Sequence, residues 1–452
     1  MSLAAPGTLD PVEASPDPGG RLRDVPAYLW CLLAGIVSLL VNKNSQYLHL
    51  PVSPDRLFIP LAILLLLLDG RRPRLVWHPV HTLIALLSAW TVVSMAWHGN
   101  LFDSVAVFAL ADRMVLPLVL FALAPLFTAR VAYRDLLLKT LTLIGVYLGL
   151  CGILEFVAPS LVVPSYIVNP DLGVMFGRAR GPFLSGDGMG VSAAVCGFCG
   201  LLLASRTRGP WRYVGTLALS TGLITTALSL TRATWVGAAA GALIGGLLVP
   251  ALRRWIPVAF AGAAALGAAT LAALPELQER FTARLGESGA VDDRLGSNDA
   301  ALSLLRDLPW TGIGWQRFFP DGSEWFRISD AYPMNNVVVE IHNVPLARAA
   351  ELGIPALLVF LAIWVLGPGR MLLARPQGDL AGWRALGAAC FTTWAVTGLA
   401  NPMAVPFANS VPWLIAGVCA TWTVTDAPRR VRTPPGDPSP LPRPAAAPTG
   451  TR

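Results

Sequence analysis

Charge is scarce in this chain of 452 residues: Asp, Glu, Lys and Arg make up 13%, against about 25% in an ordinary soluble domain. With 54% hydrophobic residues, that shortage excludes both a water-soluble globular fold and a disordered chain. Lysine is nearly missing, with Lys43 and Lys139 alone among 34 basic residues. Beyond His98 a single histidine remains, His342. There is no Walker loop, no GxGxxG after a strand and no strand-like alternation, so the common nucleotide-binding classes drop out. The segments expected outside the membrane carry no DxD or ExD motif, and no His/Cys/Asp group has metal-ligand spacing. Neither a metal nor another cofactor is expected. All six cysteines lie in apolar stretches; Cys196 and Cys199 form a CxxC inside a helix pattern and read as small packing residues.

What the chain has instead is apolar blocks. LFIPLAILLLLL (57–68) and TWVGAAAGALIGGLLVP (234–250) run free of charge over most of a bilayer thickness, and a spanning helix needs about 20 such residues. The fold class expected is all-α: a polytopic membrane protein of about twelve transmembrane helices with one large extracytoplasmic loop of short helices. Spans are expected near 25–42, 57–69, 79–97, 106–128, 136–157, 186–205, 211–230, 234–250, 255–274, 345–366, 382–400 and 408–425. The domains that follow are a Pro/Gly-rich disordered cytoplasmic tail (1–24), nine spans (25–274), the loop (275–341), three spans (342–425) and a disordered tail rich in Pro, Ala and Arg (426–452).

The net charge of +7 would point to nucleic acid in a soluble protein. Here its placement matters more. Arg71, Arg72, Arg74, Arg130, Arg134, Lys139, Arg206, Arg208, Arg212, Arg253, Arg254, Arg370, Arg375 and Arg384 fall in alternate connections, on the side of both tails. The opposite loops 98–104 and 401–407 hold no lysine or arginine. By the positive-inside rule both termini are cytoplasmic. The bilayer is a partner; nucleic acid is not.

The polar residues that break this pattern gather on the other side. The loop 275–341 is net acidic, with six arginines and eleven acids. Within it SNDAALSLLR (297–306) reads as a helix whose Asp299 and Arg306 suit its dipole. Pro309 stops it, and TGIGW supplies a turn. Arg232, in LSLTRATWVG, stands at the outer boundary of a span. It is either a snorkelling interfacial arginine or an anion ligand. Arg178 and Arg180, in FGRARGPF, are either solvated charges or a pair of guanidinium forks for phosphate. Arg294 is either neutralised by its neighbours Asp292 and Asp293 or a ligand residue. His342 heads a helix pattern and serves as a polar anchor or as a general base, its ordinary pKa being about 6.5. Arg348 and Glu351, at i and i+3, read first as a mutual ion pair, with Glu351 also able to orient a substrate or catalytic partner. Asp112–Arg113 and Glu155 read as structural.

Three segments in order resemble the O-antigen ligase/polymerase family of bacterial membrane glycosyltransferases. SLTRATWVG resembles its Ser-x-Ser-Arg segment. ALSLLRDLPWTGIGWQRF resembles the loop segment ending in Gly-x-Gly and an aromatic. HNVPLARAAELGIPALLVF resembles the His-Asn, nine residues, Gly-x-x-Gly motif, with Ala356 at the second glycine. LSGDGMG, with Asp187, stands where the family commonly has a Pro-Asn pair. The match runs from about Ala124 to Pro402.

The resemblance implies a GT-C-like, metal-independent, inverting ligase or polymerase of the bacterial inner (plasma) membrane. It would move a glycan from a polyprenyl (undecaprenyl) diphosphate donor to a hydroxyl of a glycan or lipid acceptor on the extracytoplasmic face. Cell-surface or exopolysaccharide biosynthesis is the setting it implies. Arg178, Arg180, Arg232 and Arg294 would hold the diphosphate. His342 and Glu351 would be catalytic, with Asn343 and Arg348 behind them. The competing class is a transporter or flippase of lipid-linked sugars, whose fold would show two related halves; no internal repeat is visible.

Overall fold

The computed structural model describes residues 25–425, apart from 51, 71, 174–175, 274–277, 280–281, 283–288 and 326–339. The two tails lie outside the described residues. The described chain is a helical bundle. Its β structure is one antiparallel pairing of Arg74–Leu75 with Val424–Thr425.

Each apolar segment read as a span overlaps a helix. In chain order these are α1 (Ala27–Ser38), α2 (Asp55–Leu68), α3 (Pro79–Trp97), α4 (Ser104–Phe127), α5 (Val131–Val157), α6 (Gly186–Arg206), α7 (Pro210–Leu228), α8 (Arg232–Leu247) and α9 (Ile256–Ala273). After the loop helix α10 (Gly289–Asp307) come α11 (Val344–Leu352), α12 (Ile354–Leu366), α13 (Asp379–Gly398) and α14 (Pro406–Val418). Among the described residues five segments are long and apolar enough to cross a membrane: α3, α4, α5, α6 and Ile354–Leu373. At about 1.5 Å per residue their 19 to 27 residues come close to or exceed the roughly 30 Å of a hydrocarbon core. Large apolar side chains such as Leu57, Leu64, Leu68 and Val93 stay exposed along the helices. That is the expected finish of a surface facing lipid.

Without a hydrophobic drive between helices in lipid, close packing must come from small residues. Gly200 and Gly215 bring α6 and α7 together, so that a Cβ on either would sit 2.5 Å from the other's carbonyl oxygen. Gly241 does the same for α8 against α13, where Ala389 O would be 2.5 Å away. Elsewhere aromatic rings fill the core. Trp394 stands 5.2 Å from Trp364 and 5.1 Å from Trp413, both edge-on.

The segment read as one span over 345–366 is two helices. Gly353 separates α11 from α12 with φ 87° and ψ 167°, a conformation that side-chain-bearing residues essentially do not enter. Gly312 (φ 64°) and Gly314 (φ 108°) turn the loop against this break. The Ile313 and Gly314 amides donate to the carbonyls of Ala350 (2.9 Å) and Glu351 (3.0 Å), and the Ile354 amide donates to Pro309 (2.8 Å). The last carbonyls of α11 are thereby satisfied. Behind this junction α10 packs on α11 through a small core of Ala300, Ala301, Leu304, Ile313, Phe318, Ile341 and Ala350. The helix read at 297–306 is present and extends toward the N-terminus.

A Cβ on Gly353 would lie 2.2 Å from the Trp310 carbonyl oxygen, so Gly353→Ala meets both a clash and a forbidden φ. The conformational part alone costs about 1–3 kcal/mol. We expect a clear drop in unfolding temperature in detergent, whereas Gly378→Ala, strained (φ 60°) but with open space around it, should lose less.

Candidate active site

One end of the bundle collects the charged residues singled out above. The α5–α6 connection, the α7–α8 turn, the start of α11 and the middle of α10 supply them. GDGMG lets the start of α6 approach the Ser229–Thr231 turn closely. A Cβ on Gly186 would meet Ser229 O at 2.9 Å and Thr231 Oγ1 at 3.2 Å, and Cδ of Arg178 at 3.5 Å. Ser185 caps α6, accepting from the Gly188 amide at 3.3 Å, and its hydroxyl donates to the Asp187 carboxylate. Arg232 is the first residue of α8. The Ala179 amide donates to the Leu228 carbonyl at 3.0 Å, tying the Arg178 loop to the end of α7.

Electrostatics link these positions. Burial, then the charge of Arg294, lowers the pKa of the half-buried Arg178 guanidinium, while Asp187 raises it. Burial lowers Arg294 as well, opposed by Asp187 and reinforced by Arg232. Burial is also the main cause that moves His342 below its ordinary value; Arg294 adds to it, and Glu340 and Asp187 oppose it. Arg178, Arg232, Arg294, Asp187 and His342 therefore form one electrostatic neighbourhood. Three arginines meet there, and the helices α6 and α8 start there with their positive dipole ends.

The His342 ring has a defined tautomer. Its Nδ1 lies 2.7 Å from the Glu340 carbonyl oxygen. A carbonyl only accepts, so Nδ1 carries the proton and the neutral ring keeps its lone pair on Nε2. Asn343 caps α11, accepting from the Leu346 amide at 2.9 Å. The carboxylate of Glu340 is gripped by Arg113 through two bonds of 2.9 and 3.3 Å. Arg113 sits on a π-helical turn, Ala111–Val115, within α4. Such turns recur at functional sites. Sequence reading treated Asp112–Arg113 as structural and did not single out Glu340. The signal was the presence of two charges inside a span.

Three expected site residues, Arg180, Glu351 and Arg348, make structural contacts. Arg180 is 1% exposed. Its guanidinium donates to the carbonyls of Leu172 (2.6 Å), Ile167 (2.9 Å) and Asn169 (3.1 Å). It holds the α5–α6 connection together rather than facing the charged end. Glu155, on α5, supports the same turn by accepting from the amides of Arg180 (2.9 Å) and Gly181 (2.8 Å). Glu351 and Arg348 are an ion pair at 3.0 Å, both nearly buried. Glu351 also accepts from the backbone amide (3.2 Å) and side chain (3.3 Å) of Gln316. Arg348 lies over the Trp315 ring, 4.5 Å from its centre. Trp315 in turn donates to the Ala106 carbonyl at 3.0 Å. This pair fastens α11 to the TGIGW turn and the turn to α4.

Backbone strain marks the same end. Among the described residues five non-glycine residues have positive φ, and Leu184, Leu230, Gln316 and Met403 are four of them. Leu184 and Leu230 precede Asp187 and Arg232 by a few residues; Gln316 bonds Glu351. Such residues cost about 1–3 kcal/mol each and persist where their surroundings over-determine them, as at functional sites.

The fold is that of a mostly helical protein with five candidate membrane spans among the described residues, and the candidate site gathers charged residues at one end of the bundle. Residues 216–361 match the family model described as O-antigen ligase. They carry that domain, in line with the resemblance read from the motifs. The matched stretch contains Arg232, Arg294, His342, Asn343, Arg348 and Glu351 and leaves Arg178 and Arg180 outside. No curated protein matches the chain. Among the described residues no group of three His, Cys, Asp or Glu side chains is placed to hold a metal ion.

Arg180→Gln strips partners from buried carbonyls, each worth about 1–3 kcal/mol when left unpaired. It should lower the unfolding temperature in detergent well below that of Arg178→Gln, whose side chain is half-exposed. Equal effects of the two substitutions would contradict the separation of roles.

Proposed function

We propose that this protein transfers a glycan from a polyprenyl diphosphate to an acceptor hydroxyl, as an O-antigen ligase or polymerase does, on the extracytoplasmic face of the bacterial plasma membrane. The observation that carries the reading is the gathering of Arg178, Arg232 and Arg294 beside a histidine whose Nε2 lone pair is kept available by the Glu340 carbonyl. In this proposal twelve helices span the membrane, both termini are cytoplasmic, and the cluster lies at the outer surface. There a donor whose tail stays in the bilayer can reach it.

The chemistry follows from these groups. The acceptor O–H gives its proton to His342 Nε2 as its oxygen forms the new bond to the anomeric carbon. On the opposite face of that carbon, the bond to the diphosphate oxygen breaks with its electron pair, so the configuration inverts. The leaving diphosphate gains charge as it departs, and the arginines are aimed at that charge. Guanidinium forks suit phosphate oxygens and here perform the neutralisation that a divalent cation performs elsewhere. Activity is accordingly expected to persist in EDTA. Asp187 tempers the charge of the arginines. Arg113, through Glu340, is a positioning residue for the imidazole.

Transfer from a lipid-diphosphate donor by the purified full chain is the direct test. His342→Ala should reduce kcat by about 10²–10⁴-fold, the range of a general base. Arg232→Ala should reduce it by about 10²–10³-fold, the range of one lost electrostatic stabiliser. Wild-type rates for both in folded protein exclude the assignment, as does loss of activity on chelation for the metal-free part. The acid limb of the kcat/KM profile should fall below the ordinary histidine pKa of 6.5, because His342 is shifted down, chiefly by burial. A limb above 6.5 would mean that another group is titrating.

A further inference from the structure

The span Ile354–Leu373 has 20 residues. At about 1.5 Å per residue its last turn lies about 30 Å from the Gly353 junction, at the end of the bundle away from His342. That turn, Arg370–Leu373, opens with an exposed arginine held on two sides. Arg370 Nη1 donates to His78 Nε2 at 2.9 Å, and the guanidinium lies over the Trp422 ring, 4.9 Å from its centre. The pairing of Arg74–Leu75 with Val424–Thr425, extended by the Val76 amide on the Thr423 carbonyl at 2.7 Å, sets these two partners side by side. A second arginine grips the same turn: Arg384 donates to the carbonyls of Met371 and Leu372, both at 2.7 Å.

Among the described residues no carboxylate forms an ion pair with Arg370 or Arg384. Asp379, at the start of α13, is engaged on both oxygens, one by Arg134 and the other by Arg206. A guanidinium has five N–H donors, and Arg370 uses one of them on His78. Around these cations apolar side chains stand out, with Leu373 84% and Trp77 66% exposed. A soluble anion would answer the guanidinium and leave the leucine and the indole in water. A zwitterionic lipid would cover the apolar groups but bring a cation of its own to two arginines. An anionic phospholipid meets both needs, its phosphate on the planar forks and its chains on the apolar rim, with the indole at headgroup level. We propose that the Arg370–Leu373 turn and the His78–Trp422 clasp form a binding site for an anionic phospholipid, with the phosphate on Arg370 and Arg384 and an acyl chain along Leu373. The site lies apart from the proposed chemistry and does not depend on the transferase reading.

The test titrates phosphatidylglycerol into the full-length protein in detergent, following the unfolding temperature and the lipid retained in native mass spectrometry. Phosphatidylglycerol should raise the unfolding temperature and stay bound, whereas phosphatidylcholine and inorganic phosphate should do neither. Arg370→Gln should weaken the affinity about fivefold, the worth of one arginine toward an anionic lipid. Leu373→Glu, which sets a carboxylate beside the arginines on an already exposed position, should weaken it at least as much without disturbing the packing. Arg254→Gln removes the same charge from another arginine stacked on a tryptophan, Trp255, and should bind as wild type does. Each affinity is read against that variant's own lipid-free baseline, so a loss of stability from the broken His78 bond does not obscure it. An equal response to phosphatidylcholine or to inorganic phosphate overturns the proposal. So does unchanged phosphatidylglycerol binding in both Arg370→Gln and Leu373→Glu, or an equal loss in Arg254→Gln.

Discussion

Most of the charged end depends on one junction, the seating of the 312–316 turn against the break at Gly353. Gly312 and Gly353 allow backbone to meet backbone there, at separations a single methyl would forbid, and Gly314 lies close against the His98 ring. The Arg348–Glu351 pair then locks the contact from the side, with Trp315 between it and α4. Burying two charges is expensive unless they pair and their remaining hydrogen-bonding capacity is met. Gln316 meets part of that need for the carboxylate, and the indole face covers the guanidinium. The junction ties loop helix α10, helix α11 and the membrane bundle into one frame. His342 and Arg294 stand on that frame, and Arg232 and Arg178 stand on the bundle opposite.

This also explains why motifs about forty residues apart read as a set. Gly-Ile-Gly-Trp at 312–315 and the Glu-Leu-Gly at 351–353 are two halves of a single packing contact. The histidine motif combines that structural half with a chemical one: Asn343 caps the helix, His342 precedes the cap, and Gly353 ends it.

The apolar helices were legible because unbroken runs of Leu, Ile, Val and Ala leave few alternatives. The break in the tenth segment was written as Gly-Ile-Pro but masked, since every neighbouring residue is apolar and the hydropathy continues across it. Arg178 and Arg180 illustrate the limit of local pattern. In FGRARG they look equivalent, yet one lies by the charged cluster and the other is consumed by three carbonyls of its own loop. Which of two alternating residues turns inward is decided by the whole course of 158–185, which has no periodicity to read. Arg113 and Glu340 were hidden for another reason. They are 227 positions apart, and nothing near either residue announces the other.

The π turn in α4 sends its two adjacent charges to partners of very different age in the growing chain. Asp112 meets Arg56 of α2 at 2.6 Å, a residue synthesised before it and already at hand when α4 enters the bilayer. Arg113 has no such companion at that moment, because Glu340 is added only after most of the bundle has been made. A bare arginine in a span carries an insertion cost of about 2.5–3.5 kcal/mol. During biogenesis α4 therefore enters with a debt on one side, and the late arrival of the loop that carries Glu340 clears it.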